Sequence, residues 1–342
     1  MVESRHRGHV VQVSSSGEIE RALGDPGTEV TLRSAVKPFA LVALVESGAA
    51  DDLQLSQPEL AIMAASHAGE DLHVRTLHAV FRRAGISQSL LACGIHGAPI
   101  DPVTAMRLAR DGEKPGPVRH MCSGFHAASL LLSRYAGWSV EDYHRPDHPS
   151  QVAVRETLAR LFGVRTNALR TGGDDCGLQT YVFPLVEVAR AYCLLADPSA
   201  TADPARARSA PALTRIRDAM MAAPEMIGGT GDVLDTLLMK RRPGRLVVKA
   251  GAESLRGVGI VSGVGAHAGG AAGVAVKIDD GDGYSRANRA VTLEALAQLR
   301  VLEDRDLRAL ASHHRPVTRD PQRRIVAETV VAFQLAPISE LL

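Results

Sequence analysis

The sequence predicts a mixed α/β fold in which both ends of the chain build an antiparallel sheet and the middle builds a helical lobe. Strand-like segments open the chain, apolar residues at helical spacing fill its middle, and Gly-separated apolar runs return after Arg245. With 342 residues, 45% of them hydrophobic, the chain is long enough to bury one large core. We therefore expect residues 1–342 to form a single domain with a sheet lobe and a helical middle region.

The elements can be assigned in order along the chain. Two strands joined by a turn are predicted on either side of Ser-Ser-Ser-Gly, at residues 9–13 and 18–23. Apolar residues at helical spacing predict helices at 34–45, 57–66, 72–84, 127–135, 151–162 and 180–196, the last interrupted by Pro184. Residues 197–211 predict a surface loop without a domain boundary. The closing part predicts strands at 246–248, 257–264 and 272–278, a helix at 285–299 and a strand-like run at 324–333.

The amino-acid composition indicates which classes of binding partner to expect. The 39 basic and 38 acidic residues leave no basic excess, so we expect no nucleic acid partner. No stretch approaches the roughly 20 apolar residues of a membrane span, and no apolar segment follows the charged residues 1–7. We therefore expect a cytoplasmic protein with no membrane partner. Four cysteines are too few for a disulfide framework in a chain of this length.

Ser34 and Lys37 form the central chemical signal. Residues three apart at a helix start share a face, so the amine and the hydroxyl can act as base and nucleophile. Only five of the 39 basic residues are lysines, and an arginine could not serve as a base in the same way. The alternative is a capping serine beside a solvated lysine. Lys249 ends a predicted strand before Ala250-Gly251, and this order of Ser-x-x-Lys and late Lys-x-Gly is similar to that of serine β-lactamases and penicillin-binding proteins.

Two further regions place polar groups in turns. Residues 65–70 read Ala-Ser-His-Ala-Gly-Glu and predict either a loop that positions a polar substrate or a simple helix-terminating turn. Cys122 and Cys176 lie in Gly-containing turns as pocket thiols, and a zinc site there would need a further ligand such as His120, His126 or Asp174. Cys93 and Cys193 have apolar neighbours and predict core thiols.

Taken together, these segments resemble the thermolabile, rhizobial-type L-asparaginases, whose fold is similar to that of serine β-lactamases. The resemblance spans nearly the whole chain and rests on seven segments, at residues 33–39, 44–50, 65–70, 122–124, 174–177, 249–253 and 277–283. It implies a serine-β-lactamase-like antiparallel sheet flanked by helices with a helical lobe. It also implies a single catalytic domain in a homodimer that acts on a small-molecule amide.

The resemblance assigns roles to individual residues. Two Ser/Lys pairs are implied, Ser34 with Lys37 and Ser66 with Lys249. Substrate contacts are implied at Arg33, His67, Glu70, Asp174, Gly251 and Glu253. Family members bind zinc through two cysteines and a lysine; the cysteines match Cys122 and Cys176, whereas Phe125 stands where the lysine would be. Phenylalanine cannot bind a metal, so we expect zinc to bind weakly and no cofactor to be required.

The expected function is hydrolysis of L-asparagine to L-aspartate and ammonia, with Ser34 as nucleophile and Lys37 as its base. Phe125 motivates a first alternative, a related Ser/Lys amidase, acyltransferase or cyclase acting on a specialised metabolite. A second alternative is a homologue that binds an amino acid without turning it over. A penicillin-binding or β-lactamase role is disfavoured because those enzymes act outside the cytoplasm.

Overall fold

The structure, a computed structural model, describes residues 1–95, 100–265, 269–282 and 286–338. The chain divides into two compact units. The first comprises Met1–Ala35, Val182–Ala200 and Arg245–Leu342, and the second comprises Val36–Tyr181 and Thr201–Gly244. Within the described residues, no helix is both long enough and apolar enough to cross a membrane.

The first unit is built on a six-stranded sheet whose neighbouring strands are all antiparallel. Its order is β11-β2-β1-β8-β7-β6, with β1 Gly8–Val13, β2 Ile19–Leu23, β6 Leu246–Gly251, β7 Leu255–Ile260, β8 Ala272–Ile278 and β11 Ala336–Pro337. The helices of this unit are α9 Leu185–Ala196, α14 Ala287–Gln298, α15 Asp304–Ala309 and α16 Ala311–His314. The predicted mixed α/β composition and antiparallel sheet are confirmed.

Helix α9 packs on the sheet at three glycines, where the sheet surface has no side chains. A Cβ on Gly257 would lie 2.0 Å from the Tyr192 ring, and one on Gly273 would lie 1.9 Å from Ala189 O. A Cβ on Gly259 would lie 2.5 Å from Tyr192 O. The glycines of strands β7 and β8 thus allow a close approach of the helix.

Residues 180–196 correct one prediction. The sequence predicts a helix interrupted by Pro184, but the structure has strand β5 Gln179–Pro184 followed directly by α9. Strand β5 pairs antiparallel with β3 Glu29–Thr31, with Val30 opposite Phe183. Pro184 has no N–H to donate to a strand ladder, and its fixed φ suits the start of a helix. It therefore ends strand β5 and occupies the N-cap position of α9.

The second unit is mainly helical, as the sequence predicts for the middle of the chain. It contains strand β4 Arg170–Gly173 and residues 179–181 of β5. Its helices are α1 Lys37–Ala40, α2 Val42–Glu46, α3 Ala49–Asp52, α4 Gln57–Met63, α5 Asp71–Ala84, α6 Pro102–Asp111, α7 Ser123–Tyr135, α8 Pro149–Phe162, α10 Pro204–Ala207, α11 Ala210–Ala222, α12 Pro224–Gly228 and α13 Leu234–Arg241. The single helix predicted at 34–45 is instead a 3-10 turn, Arg33–Val36, followed by α1 and α2.

The end of the chain departs from the prediction of one long strand at 324–333. The structure has a two-stranded hairpin of β9 Val317–Arg319 and β10 Ile325–Glu328, and the residues after Glu328 leave the ladder. Two predicted features fall partly outside the described residues, namely Gly283 in the last resemblance segment and Ser285 at the start of the predicted helix.

Candidate active site

Lys37 is the first residue of α1 and is almost completely buried, with 2% of its surface exposed. Pro38 follows in the first helical turn, where a missing N–H breaks no helix hydrogen bond. Lys37 Nζ lies 2.7 Å from Ala65 O, 3.4 Å from Ser66 Oγ and 3.1 Å from Cys122 Sγ. An ammonium has three N–H donors, so the three acceptors satisfy the protonated side chain completely.

Arg33 and Ser34 belong to the first unit and precede this helix. Arg33 has a φ of 46°, a left-handed conformation that costs a non-glycine residue on the order of 1 kcal/mol and is frequent at functional sites. Gly251 approaches the same turn so closely that a Cβ would lie 2.3 Å from Leu32 O and 3.2 Å from Ala35 N. The end of strand β6 therefore lies against the turn that carries Ser34.

Lys249 lies on strand β6, two residues before Gly251. Lys249 is 1% exposed, and its Nζ donates to Ala250 O at 2.6 Å. The turn after β6 has two consecutive left-handed residues, Glu253 with φ 59° and Ser254 with φ 57°, which reverse the chain into β7. Ser254 is buried while Glu253 is exposed, so of these two only Glu253 can meet a molecule from solvent.

The four residues that the resemblance pairs as catalytic are thus divided between the units. Ser34 and Lys249 lie in the first unit, and Lys37 and Ser66 lie in the second. The contact between Lys37 and Ser66 is one that the sequence does not predict. The pairs Ser34 with Lys37 and Ser66 with Lys249 stay predictions.

Ser66 opens the loop between α4 and α5, and three backbone hydrogen bonds fix this loop. Ser66 N donates to Ile227 O at 3.0 Å, His67 N donates to Met121 O at 3.2 Å, and Asp101 N donates to Ala68 O at 2.8 Å. The loop is held from three sides of the second unit. Ser66 therefore presents its hydroxyl to Lys37 from a fixed backbone.

His67 and Glu70, both implied substrate contacts, are buried in this loop. His67 is 1% exposed and makes hydrogen bonds with Ser123 Oγ at 2.9 Å and with Gly69 N at 3.1 Å. Burial lowers the pKa of His67 well below 6.5, so the ring is neutral. Glu70 accepts from Thr230 N and Thr230 Oγ1, each at 2.7 Å, and caps helix α5. Both side chains have structural partners on the protein.

Cys122 and Cys176, the implied zinc thiols, meet in the second unit. A hydrogen bond from Cys176 and the positive charge of Lys37 lower the pKa of Cys122, whereas the same bond and burial raise the pKa of Cys176. His120 Nδ1 accepts from Cys122 N at 3.0 Å. The arrangement favours a Cys122 thiolate that receives hydrogen bonds from the Cys176 thiol and the Lys37 ammonium.

The donors around these thiols do not fit a zinc ion. Structural and catalytic zinc sites use at least three protein ligands. In the part of the chain that the structure describes, one group of three His, Cys, Asp or Glu side chains brings its ligand atoms within 4.8 Å of one another, Asp174, Asp175 and Cys176, and it omits Cys122. Phe125 takes no part as a ligand; its ring centroid lies 6.0 Å from Lys37 Nζ. An ammonium 3.1 Å from Cys122 Sγ also opposes a second cation there.

Asp174 lies in the turn between β4 and β5. Its backbone N donates to Leu178 O at 2.8 Å, its backbone O accepts from Gly177 N at 3.0 Å, and its Oδ1 accepts from Asp175 N at 2.8 Å. The turn holds the Asp174 carboxylate close to Cys176.

Ser123 and Thr230 are the site residues that sequence reasoning missed. Ser123 belongs to the Cys-Ser-Gly segment of the resemblance, but no pattern indicates that its hydroxyl meets His67 across 56 positions. Thr230 stands in a Gly-Gly-Thr-Gly run, which signals a turn and not a partner for Glu70.

Comparison with known proteins identifies the family to which the chain belongs. The family model described as Asparaginase_II, L-asparaginase II, matches residues 1–331. The chain therefore belongs to this L-asparaginase family, which is of the rhizobial type, and the resemblance seen in the sequence is confirmed.

A solved structure, the crystal structure of Mglu in its native form in the presence of 4.3 M NaCl, is similar to the chain at 14% sequence identity and a TM-score of 0.36. The match covers 90% of this chain and 62% of the Mglu chain, so this chain spans less than two thirds of that one. A search of curated proteins gives no match.

Proposed function

We propose that this protein hydrolyses the side-chain amide of L-asparagine to L-aspartate and ammonia through an acyl-enzyme on a serine. The observation that carries the proposal is the buried Lys37, whose Nζ is held 3.4 Å from Ser66 Oγ in a chain of the L-asparaginase II family. A lysine in such a position can exchange protons with serine hydroxyls. Residues 1–342 are proposed to form a single catalytic domain with a serine-β-lactamase-like fold.

In the first half of the reaction, Ser34 Oγ attacks the amide carbon and its proton passes to Lys37. The C–N bond then breaks, and the nitrogen leaves as ammonia after it receives that proton. In the second half, water attacks the acyl carbon and gives a proton to the Lys37 amine. The ester bond breaks, Ser34 Oγ takes the proton back, and aspartate is released. Backbone N–H groups stabilise the oxyanion in both halves.

The remaining site residues support this chemistry. Lys249, which the resemblance pairs with Ser66, helps to relay protons. Asp174 and Glu70 hold the ammonium of the substrate, while Arg33, Gly251 and Glu253 line its path near Ser34. No step requires zinc.

We also propose a cytoplasmic homodimer. The hairpin of β9 and β10 exposes aliphatic side chains, with exposed fractions of 40% at Val317, 55% at Ile325 and 62% at Val326. An isolated two-stranded hairpin is only marginally stable in water, and covering these side chains by a second copy would stabilise it. Light scattering with and without Ile325→Asp and Val326→Asp tests the assembly.

Ammonia release from asparagine tests the reaction. Ser34→Ala and Lys37→Met should each lower kcat by about a thousandfold or more, and the double variant should be no worse because the two groups act as one unit. Lys240→Met, at a partly exposed lysine on α13, is the control and should keep wild-type turnover. Wild-type turnover by Ser34→Ala would show that Ser34 is not the nucleophile, and Ser66→Ala would then identify the second candidate.

Phe125 supports one other activity, acyl transfer or cyclisation on a specialised metabolite. It places an apolar ring beside Lys37, where the family has a lysine. A wild-type enzyme that ignores asparagine but forms an acyl-serine with other amides or esters, detected by intact mass spectrometry, would favour this second activity.

A further inference from the structure

We propose that His67 is a positioning residue that locks the Ser66 loop to the Cys122-Ser123 corner and thereby fixes the acceptors of Lys37. The inference deepens the proposed function and rests on it, because it assumes that Lys37 is the base. It gives His67 a task different from the substrate contact that the family resemblance implies.

The directions of the hydrogen bonds follow from their fixed members. Ser123 Oγ lies 2.8 Å from Val118 O, and a carbonyl can only accept, so the single Ser123 proton is committed there. Ser123 Oγ must then accept from His67 Nε2–H at 2.9 Å. On the other edge of the ring, Gly69 N–H donates to His67 Nδ1 at 3.1 Å. Only the neutral Nε2–H tautomer satisfies both bonds.

A second imidazole holds the plane of the first. The rings of His67 and His73 are stacked, with centroids 4.7 Å apart and planes 19° from parallel. His73 shows the same tautomer, because Nδ1 accepts from Glu70 N at 3.1 Å and Nε2 faces Glu225 O at 3.0 Å. Neither ring can rotate or change tautomer without losing a hydrogen bond.

The connection to Lys37 is made through sequence neighbours. Ser66 precedes His67, Cys122 precedes Ser123, and Lys37 Nζ bridges Ser66 Oγ and Cys122 Sγ. The His67–Ser123 hydrogen bond therefore runs alongside the Lys37 bridge and joins the same two dipeptides. If it is lost, the dipeptides can separate and Lys37 can keep only one of its two side-chain acceptors.

Kinetic analysis of His67 variants tests the proposal on asparagine. We expect His67→Phe to lower kcat by about a hundredfold with KM within threefold, because the reacting groups are misplaced while substrate contacts remain. His67→Gln keeps an N–H donor toward Ser123 and should recover kcat to within tenfold of wild type. His148→Phe is the matched control, since His148 is a buried histidine of the same unit with hydrogen bonds to Ser150 Oγ and Ser139 O; its kcat should stay within threefold.

The outcomes separate this proposal from the proposed function. A folded His67→Phe enzyme with kcat within threefold of wild type overturns the positioning role. If His67→Phe does not fold, Ser123→Ala replaces it, and unchanged kcat there has the same meaning. If wild type does not hydrolyse asparagine, the proposed function fails, and nitrogen NMR of histidine-labelled protein then tests the positioning role of His67 by itself. A slowly exchanging Nε2–H of His67 that is lost in Ser123→Ala supports this role. The Nδ1–H tautomer of His67 overturns it.

Discussion

Gly124 should not tolerate even one added methyl group, because helices α4 and α7 touch at this position. A Cβ on Gly124 would lie 2.0 Å from Ile62 O, 2.7 Å from Ile62 C and 3.3 Å from Met63 N. Ordinary contact begins near 3.4 Å, so the two helices would have to separate by more than 1 Å. The contacted atoms are backbone atoms of the last two residues of α4, and no side chain can rotate away to make room.

The cost follows from this geometry. Overpacking a rigid contact costs 1–3 kcal/mol, and the backbone contact places Gly124→Ala at the upper end, at about 3 kcal/mol of unfolding free energy. Activity should fall as well, by about tenfold or more. Ile62 lies shortly before Ser66 and Gly124 shortly after Cys122, so separating the helices moves both side-chain acceptors of Lys37.

Urea unfolding and ammonia release measure the two effects. Gly116→Ala is the control, because Gly116 has an ordinary φ of −103° and no atom within 4 Å of an added Cβ. Its unfolding free energy should equal or slightly exceed that of wild type, since alanine restricts the unfolded chain. An unfolding free energy of Gly124→Ala within about 0.5 kcal/mol of wild type, the usual range of a neutral surface change, would show that the two helices accept the methyl group without strain.

Three further predictions concern the lysine, the metal and pH. Lys249→Arg should be nearly as inactive as Lys249→Met, because arginine keeps the charge but cannot titrate; a wild-type rate would show that only fixed charge is needed. Zinc should be substoichiometric by elemental analysis of protein purified without chelator, and Phe125→Lys should raise it by giving Cys122 and Cys176 a third ligand; about one zinc per wild-type chain after dialysis would contradict this. Burial lowers the pKa of His126 from 6.5 to about 3. As the pH drops below 6.5, the unfolded chain takes up a proton on His126 before the folded chain does, so the free energy of unfolding should fall, by about 2 kcal/mol at pH 5. Urea unfolding at pH 8 and pH 5 measures this loss, which should be smaller in His126→Leu.

Most of the architecture could be predicted because local signals and tertiary packing agree. The strands around Ser-Ser-Ser-Gly and after Arg245 have turn residues at their ends and are rich in apolar residues, and they form the sheet of the first unit. The helix prediction was wrong at residues 180–184 because the periodicity of a short apolar run does not distinguish a strand from a helix. Their strand state depends on pairing with residues 29–31, far away in the sequence.

The candidate site could be predicted only in part, for a similar reason. Ser34, Lys37 and the cysteines are visible as motifs because their spacing or their residue type is unusual. The hydrogen bond of Lys37 to Cys122 spans 85 positions, and no local pattern encodes it. Sequence therefore indicates which residues carry chemistry more readily than it indicates which of them meet.

The three hydrogen bonds of Lys37 limit how it can act as a base. An amine that is ready to accept a proton has two N–H groups and one lone pair, so one of its three contacts must be released or reversed. Ala65 O can only accept, and Cys122 is favoured as a thiolate by the hydrogen bond from Cys176. Ser66 Oγ can donate as well as accept, and its contact is the longest of the three at 3.4 Å. The lone pair of neutral Lys37 is therefore expected to face Ser66. In the proposed reaction, a proton from Ser34 would then reach the amine either after this contact opens or through the Ser66 hydroxyl.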